Sequence, residues 1–367
     1  MMNNWKKYKL GEVVSWGNGK ERPKDKGPIP VYGGNGVLDY TNQNNYEGET
    51  VIVGRVGAFC GSVYYTNESI WVSDNALAAK PKNGNDTKFL YYFLQYLNLN
   101  SYAEGSTHPL VTQRLLNSIV VVIPPLDEQK RIAEVLSSLD DKIDLLNREN
   151  ATLEALAETL FRHYFIENPD PTWKEGKLGD ILSVKGGTTP STNEPRFWNG
   201  NIAWTSPRDV TTLNGMYLFK TERTITEEGL AKISSGLLPA GTLLISSRAP
   251  VGVLAFAEIP VAINQGYIAI IDDKGYPKEF IYLWLKDNME AVHSYSNGST
   301  FMEISKTAFK SLDITIPDEE TINVFTAQVK PFFEKIKSNQ QQMQTLTTQR
   351  DTLLPCLMSG EVKVKGQ

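Results

Sequence analysis

The chain of 367 residues carries its own sequence pattern twice, and this duplication constrains the fold more than any other feature. Residues 5–12, WKKYKLGE, return as residues 173–180, WKEGKLGD, after a shift of 168 positions. The Gly-Ser-Thr at 105–107 returns at 298–300, after a shift of 193. The shifts differ by 25, so the second copy holds about that many additional residues between these two motifs. Two copies are too few for a solenoid, and the pattern therefore indicates a duplicated pair of domains.

A heptad repeat of mostly apolar residues closes each copy and predicts a long helix there. In the first copy ten positions follow alternating steps of four and three from Ile132 to Tyr164, and adding 193 gives a second series from Phe325 to Leu357. An apolar stripe needs a partner, and the other copy is the simplest one, which favours an intramolecular coiled coil. The residues that we place at the interface of the helix pair are Ile132, Leu136, Leu139, Ile143, Leu146, Leu153, Leu160, Phe332, Ile336, Leu346 and Leu353.

The length of the predicted helices suggests what they are for. Each has roughly 40 residues and would span about 60 Å, so that the pair acts as a ruler between two globular parts. Two ordinary core helices are the alternative. Asn150 and Asn339 occupy stripe positions and are candidates for fixing the register of the pair. Pro331 lies where the first helix has Ser138, and we expect a kink or a late helix start there.

The globular part of each copy mixes strands and short helices in the same order. β-Branched residues predict the strands, and Pro124-Pro125 would end the strand that precedes the first long helix. Apolar residues at core spacing predict the helices. The predicted strands lie at 49–54, 61–65, 119–123, 243–245 and 314–316, and the predicted helices at 87–98, 112–116 and 280–285.

The charge distribution limits the partners of the chain. The chain has 37 Lys and Arg against 42 Asp and Glu, a net charge of −5, which is mild evidence against DNA binding by this chain alone. The acidity is concentrated in residues 126–167, which hold 5 Lys and Arg and 10 Asp and Glu and would not face phosphates. If DNA is the target, other chains supply much of the phosphate contact.

The sequence gives no sign of export or of a membrane partner. No apolar run reaches the length of a membrane span, and the polar start does not resemble a signal peptide. Cys60 and Cys356 lie far apart and outside any metal-binding spacing, as expected of reduced thiols. These features predict a cytoplasmic protein.

Catalytic motifs are missing from the sequence. An adenine methyltransferase needs an Asn/Asp-Pro-Pro-aromatic tetrapeptide, and the Pro-Pro pair at 124–125 lacks both flanking residues. A phosphate-binding loop for ATP is absent, and His108, His163 and His293 are too scattered for a metal site. We therefore expect no cofactor or metal on this chain, which has the character of a recognition protein without a reaction of its own.

Motifs along essentially the whole chain resemble the specificity subunit of type I restriction–modification systems. Residues 186–191 (GGTTPS) with 198–204 (WNGNIAW) are similar to the opening of one class of target recognition domain. The segments that are similar to another class are 31–36 (VYGGNG), 54–57 (GRVG) and 73–76 (SDNA). Residues 124–133 (PPLDEQKRIA) resemble the family's entry into its first conserved helix, and 353–362 (LLPCLMSGEV) its C-terminal ending. Residues 318–321 depart from the expected Pro-Leu-x-Glu-Gln form in the second copy.

The resemblance implies an α+β fold, with two α/β target recognition domains separated by two long antiparallel coiled-coil helices in a pseudo-twofold repeat. The expected segments are a first recognition domain at 1–125, a spacer helix at 126–167, a second recognition domain at 168–317, and a second helix with the C-terminal tail at 318–367. Each recognition domain would read a half-site of double-stranded DNA, which makes the site bipartite and asymmetric. Two methyltransferase subunits with S-adenosylmethionine would dock on the helices, and a restriction and translocase subunit, where one is present, would use ATP and Mg.

Candidate base-reading residues lie on loops that match between the copies. Arg55 and Arg248 each follow a buried strand, where a guanidinium suits guanine or a phosphate, and an internal ion pair is the alternative. Asn and Gln side chains suit adenine, with turn capping as the alternative. The Gly-Ser-Thr loops suit a phosphate or simply cap a helix. The residues expected at the DNA are Tyr32, Asn35, Arg55, Asn75, Ser106, Thr107, His108, Thr189, Trp204, Arg208, Arg248, Asn264, Gln265, Ser299 and Thr300.

Three other functions stay open at this point. A stand-alone bipartite DNA-binding protein would be favoured by a helix-turn-helix or a strongly basic domain, and neither is visible in the sequence. A fused methyltransferase would need the missing tetrapeptide. A coiled-coil adaptor that binds no nucleic acid is the third. Neighbouring genes for an adenine methyltransferase and a helicase–nuclease would favour the specificity subunit, whereas tight specific binding by the isolated monomer would favour the stand-alone protein.

Overall fold

The computed structural model describes residues 4–105, 109–271, 274–296 and 302–364. The chain divides into two compact units, of which the first comprises Met1–Asp144 with Gln344–Gln367 and the second comprises Leu145–Met343. Each unit contains one of the two globular parts and a portion of both long helices.

The globular part of the first unit combines three small sheets with short helices. Its strands are β1 (Lys6–Lys9), β2 (Val14–Asn18), β3 (Ile29–Gly33), β4 (Gly36–Thr41), β5 (Thr50–Gly54), β6 (Val63–Thr66), β7 (Trp71–Val72), β8 (Ala76–Pro81) and β9 (Val120–Ile123). They form a pair β1-β9, an antiparallel sheet β2-β8-β5-β6, and a sheet β4-β3-β7 in which β3 and β7 are parallel. The helices are α1 (Leu10–Val13), α2 (Thr87–Tyr96), α3 (Gln113–Ser118) and the long α4 (Leu126–Arg162).

Helix α2 supplies much of the apolar core of the first unit. Phe89, Leu90, Phe93 and Leu94 are all buried in one cluster with side chains of the four-stranded sheet, which confirms the predicted helix and its core spacing. Asp86 caps the helix by accepting the N–H of Phe89 at 2.8 Å. The beginning of α4 and the last apolar residues of the second long helix belong to the same cluster.

The second unit repeats this plan with additions. Its strands are β10 (Lys174–Lys177), β11 (Ser183–Gly186), β12 (Trp198–Thr205), β13 (Tyr217–Leu218), β14 (Arg223–Ile225), β15 (Thr242–Ser246), β16 (Leu254–Ala257), β17 (Val261–Ile263), β18 (Tyr267–Ile271) and β19 (Asp313–Ile316). The sheets are β10-β19, β11-β18-β15-β16-β13, and β14-β12-β17 with β12 and β17 parallel. The helices are α5 (Leu178–Ile181), α6 (Pro207–Thr211), α7 (Glu227–Leu230), α8 (Lys278–Asp287), α9 (Met289–Ser294), α10 (Lys306–Lys310) and the long α11 (Glu319–Met358).

The duplication seen in the sequence is a duplication of structure. The pair β1-β9 corresponds to β10-β19, and the mixed sheet β4-β3-β7 corresponds to β14-β12-β17. Elements α6, β13 and α7 stand between the opening and the closing strand of the second copy, where the sequence has its additional residues. The expected α+β two-domain repeat with two long helices is confirmed.

The two long helices pair antiparallel within each unit. In the first unit, Arg350 Nη1 of α11 donates to Asp140 Oδ1 of α4 at 2.7 Å. In the second unit, Gln328 Nε2 donates to the hydroxyl of Tyr164, just beyond α4, at 2.6 Å. Early residues of one helix thus meet late residues of the other. All twenty positions of the heptad stripe are buried or half-buried, including every residue placed at the helix-pair interface.

A polar pair interrupts the apolar stripe in the second unit. Asn339 Nδ2 donates to Asn150 Oδ1 and to Glu149 Oε2, both at 2.9 Å. Only 1% of Asn339 is exposed. Since a buried amide needs a hydrogen-bonding partner, these two asparagines are matched to each other across the helix pair.

The start of α11 is determined by Asp318. Its carboxylate accepts the N–H of Thr321 at 2.9 Å and the indole N–H of Trp173 at 2.8 Å. The helix begins at Glu319 and continues without a break through Pro331. The predicted late start is therefore wrong, because Asp318 caps the helix thirteen positions before Pro331.

Candidate nucleic-acid interface

In the first unit, the loops that follow strands β3, β5 and β7 lie side by side. The N–H of Arg55 donates to the carbonyl of Asn75 at 3.0 Å, and the N–H of Ser73 donates to the carbonyl of Tyr32 at 2.8 Å. Asn35 lies in the turn that directly follows β3. Asn35, Arg55 and Asn75, which we expected at the DNA, are thus carried by adjoining loops, and Tyr32 lies near the end of β3 beside them.

The side chains of this first cluster differ in exposure. Asn35 and Asn75 are exposed, whereas Tyr32 and Arg55 are half-buried. Burial raises the pKa of Tyr32, so its hydroxyl stays protonated and can donate. Within the described ranges Arg55 Nε is buried without a hydrogen-bond partner. Amide, phenol and guanidinium groups together provide the donors and acceptors that base edges and phosphates require.

The second unit assembles a similar cluster from loops beyond β11 and β17. The N–H of Thr188 donates to the carbonyl of Ile263 at 3.1 Å. The exposed Thr189 donates from Oγ1 to Gln265 Oε1 at 2.6 Å. Thr189, Asn264 and Gln265 therefore share one surface, although 75 and 76 positions separate the threonine from the two amides.

Asn264 and Gln265 play different parts in this second cluster. Asn264 is half-buried, and its Oδ1 accepts the N–H of Gly266 at 2.8 Å. The turn-capping alternative therefore applies to Asn264. Gln265 is exposed, and although its Oε1 accepts from Thr189, its Nε2 can donate to a partner outside the chain.

The two arginines lie on matching loops but one position out of register, since the backbone contacts match Arg55 to Ser247. The N–H of Val111 donates to the carbonyl of Arg55 at 2.9 Å, and the N–H of Ile304 donates to the carbonyl of Ser247, the neighbour of Arg248, at 3.0 Å. The ion pairs found among the described residues involve neither guanidinium. An internal ion pair therefore does not explain the presence of an arginine at either strand end.

Trp204 lies in the core, whereas Arg208 lies at the surface. Trp204 is 5% exposed, packs edge-on against Trp198 with ring centroids 5.1 Å apart, and donates to the carbonyl of Thr188 at 3.4 Å. Its ring lies in the core, and its assignment to a base-facing surface is corrected accordingly. Arg208 is exposed, with Nε 3.7 Å from the carboxylate of Glu222.

Five of the residues expected at the DNA lie outside the described residues, namely Ser106, Thr107, His108, Ser299 and Thr300. The end of the first of these loops is described. The carbonyl of Pro109 accepts the N–H of Gly57 at 3.0 Å, two positions after Arg55.

One pair of equivalent residues escaped the sequence reasoning. At the start of α3, Gln113 Nε2 donates to Asn18 Oδ1 at 2.8 Å. At the start of α10, Lys306 Nζ lies 3.1 Å from the position that a Cβ on Gly186 would take. The shift of 193 relates Gln113 to Lys306, and the shift of 168 relates Asn18 to Gly186. Applying both shifts together to the strand and helix ends would have found this pair.

Two further properties concern metals and membranes. In the ranges that the structure describes, no group of three or more His, Cys, Asp or Glu is placed to hold a metal ion. None of the helices in the same ranges is long and apolar enough to cross a membrane.

Comparison with known proteins agrees with the duplication. The family model described as the type I restriction modification DNA specificity domain matches residues 2–155 and again residues 171–348. The type I restriction enzyme MjaIX specificity subunit of Methanocaldococcus jannaschii is 34% identical over 52% of this chain and 44% of its own length. The type I restriction enzyme HindI specificity subunit of Haemophilus influenzae is 23% identical over 73% of this chain and 74% of its own. The chain thus aligns with less than half of the first relative and about three quarters of the second.

A solved structure has a similar fold over the full length. The type I restriction–modification system S subunit from M. genitalium covers 99% of this chain and 97% of its own, with a TM-score of 0.67 and 18% sequence identity. At this identity the likeness concerns the fold.

Proposed function

Since the chain belongs to the family of type I restriction–modification DNA specificity domains, we propose that it selects the DNA site at which such a complex acts. Each globular part reads one half of a bipartite, asymmetric site on double-stranded DNA. The chain recognises the site and leaves the reaction to its partners.

The observation that carries this proposal is the pair of matched loop clusters with unlike side chains. Arg55 and Ser247, the neighbour of Arg248, stand at equivalent strand ends, and their N–H groups bond to the loops that carry the exposed Asn75 and Gln265. Equivalent backbones with different amide and hydroxyl sets suit two readers of different half-sites. An asymmetric target follows from this difference.

The helix pair is the proposed docking surface for two methyltransferase subunits, which bring S-adenosylmethionine. Leu145 and Leu156 of α4 are exposed although they are large and apolar. They are eleven positions apart, about three helical turns, and so lie on one face outside the buried stripe. Exposed apolar residues and an acidic helix suit a protein partner better than phosphates. A restriction and translocase subunit, which would use ATP and Mg, is a further proposed partner. We place the assembled complex in the cytoplasm.

Methylome sequencing tests the proposal. A host that expresses the matching adenine methyltransferase subunit is compared with and without this chain. We expect adenine methylation at one gapped, asymmetric motif, and only when the chain is present. Identical methylation without the chain, or an ungapped motif, would contradict the proposal. Tight specific binding by the isolated monomer would favour the stand-alone DNA-binding protein instead.

A further inference from the structure

Two large apolar side chains stand exposed beside the first loop cluster. Phe59 is 50% exposed and Val56 is 37% exposed, and both lie between β5 and β6, directly after Arg55. We call these two residues the apolar tip. Burying a phenylalanine side chain against a partner stabilises a complex, which makes the tip a candidate contact surface.

The backbone that carries the apolar tip is held firmly. Residues Gly57–Phe59 form a turn of 3-10 helix. The N–H of Ser62 donates to the carbonyl of Phe59 at 3.1 Å, and Gly54 and Ser62 are bonded at the base of the loop at 2.9 Å. Asn100 Nδ2 donates to the carbonyl of Cys60 at 2.7 Å. Since the loop is anchored on both sides, the exposed position of the tip is built in before any partner arrives.

The tip also adjoins the polar side chains that we place at the DNA. The Ser62 hydroxyl donates to the carbonyl of Gly34 at 2.7 Å, which joins this loop to the turn that holds Asn35. A Cβ on Gly34 would lie 3.5 Å from the carbonyl oxygen of Asn75 and 3.8 Å from that of Val56. The apolar tip is therefore continuous with the first loop cluster.

The second domain has no equivalent of the phenylalanine. The N–H of Gly61 donates to the carbonyl of Gly54 at 2.7 Å, and the N–H of Gly252 donates to that of Ser246 at 2.9 Å. Gly252 therefore matches Gly61, and Pro250 stands where the first copy has Phe59. The difference concerns only one of two otherwise matched loops. A function of Phe59 therefore belongs to one half-site.

We propose that the apolar tip recognises the 5-methyl group of a thymine in the major groove of the half-site read by the first domain. This inference rests on the proposed function and deepens it. The thymine methyl is the apolar group that base pairs present in the major groove, and phenylalanine is among the side chains that contact it. The neighbouring guanidinium and amide groups suit the same groove. A rigid, anchored loop fits surface contact better than insertion between base pairs.

The test uses the chain assembled with its methyltransferase subunits and duplexes that carry the methylome-defined motif. Each thymine of the first half-site is replaced in turn by uracil, which removes the methyl group alone. We expect one position at which uracil weakens binding by about four-fold, the factor for one buried methyl group. Phe59→Ala should bind thymine and uracil equally at that position, and Phe59→Leu should keep part of the discrimination. Replacements in the second half-site should affect all three proteins alike.

Several results would overturn the inference. One is a first half-site without thymine, and another is equal binding of thymine and uracil by the unmodified protein. Loss of DNA bending in Phe59→Ala without any change in methyl discrimination would indicate insertion between bases. If Phe59→Ala does not fold, the binding of the thymine and uracil duplexes is measured with Val56→Ala and Phe59→Leu instead. A complex that still methylates a bipartite site but ignores the methyl group refutes this inference alone, whereas loss of chain-dependent methylation refutes the proposed function.

Discussion

At the scale of single residues, Arg55 is the side chain from which we expect the clearest effect on recognition. It stands at the end of a buried strand, and no ion pair found among the described residues occupies its guanidinium. Arg55→Ala should relax the preference for one base in the first half-site by about 1–3 kcal/mol and leave the second half-site unchanged. Methylation of a library with randomised positions measures both preferences together.

Arg248→Ala is the matched control, because it should relax the second half-site and spare the first. A uniform loss of affinity across all sequences in either variant would assign that arginine to a phosphate contact or to the fold.

Asp318 provides a residue-scale prediction about pH. Hydrogen bonds from Thr321 and Trp173 lower the pKa of Asp318 to about 2. A carboxyl group whose folded pKa is depressed stabilises the fold above its unfolded pKa, and this contribution is lost as the pH falls through the folded value. Asp318→Ala should therefore lower the melting temperature at neutral pH, with the difference from the unmodified protein shrinking below about pH 4.

Thermal unfolding followed over a pH series measures the difference. Thr321→Val, which removes the hydroxyl that donates to Asp318 at 2.8 Å and keeps the shape of the side chain, should give a smaller decrease with the same sign. If the difference in melting temperature between Asp318→Ala and the unmodified chain stays constant down to pH 2, the stabilising role of the Asp318 carboxylate is contradicted.

Residue roles were only partly predictable from the sequence. One shift placed Arg55 and Arg248 on matching loops, since repeated chains repeat their strand ends, but the backbone contacts match Arg55 to Ser247. The burial of Trp204 was unpredictable because it depends on Trp198 and on strands far away in the sequence. The capping role of Asn264 depends on a turn geometry that the amide itself does not reveal.

At the scale of elements, the buried asparagine pair should stabilise the helix pair as a unit. Asn339→Ala leaves Asn150 without its amide partner inside the stripe, and this should cost about 1–3 kcal/mol of unfolding free energy. The double variant with Asn150→Ala should cost less than the sum of the single variants, with a coupling of about 0.5–3 kcal/mol.

Urea unfolding of the four proteins of this cycle measures the coupling. Glu149 also accepts from Asn339, so the Glu149→Ala background shows how much of the effect passes through the carboxylate. Strict additivity of the two asparagine substitutions would mean that the contact does not contribute to stability.

The long helices were predictable and the small sheets were not. A heptad stripe extends over many turns, so its period identifies the helix without knowledge of its surroundings. Strands β7, β13, β14 and β17 have only two or three residues and pair with distant partners, which leaves no local period to detect. The start of α11 was not predictable because it depends on one capping residue. The carboxylate of Asp318 starts the helix at Glu319, and Pro331 does not interrupt it.

At the scale of the whole molecule, the charge of −5 predicts that the chain depends on partners for phosphate contact. A chain that neutralises only one or two phosphates should lose affinity by about ten-fold or less between about 50 and 200 mM salt. The complex with methyltransferase subunits should lose far more over the same range. Fluorescence anisotropy with one labelled duplex measures the DNA affinity of the free chain and of the complex at each salt concentration. Equal salt dependence of the free chain and the complex would show that this chain already provides the phosphate contacts.

The division of the helices between the units has a consequence for how the protein is made. The second unit is one continuous stretch, whereas the first is completed by residues 344–367. Leu357 and Met358 are buried in the same cluster as Leu10 and Val13. The part of the protein that leaves the ribosome first therefore cannot finish its core until Leu357 and Met358 have been made. A stop codon just before Leu353 would leave the second unit whole and remove part of the core of the first.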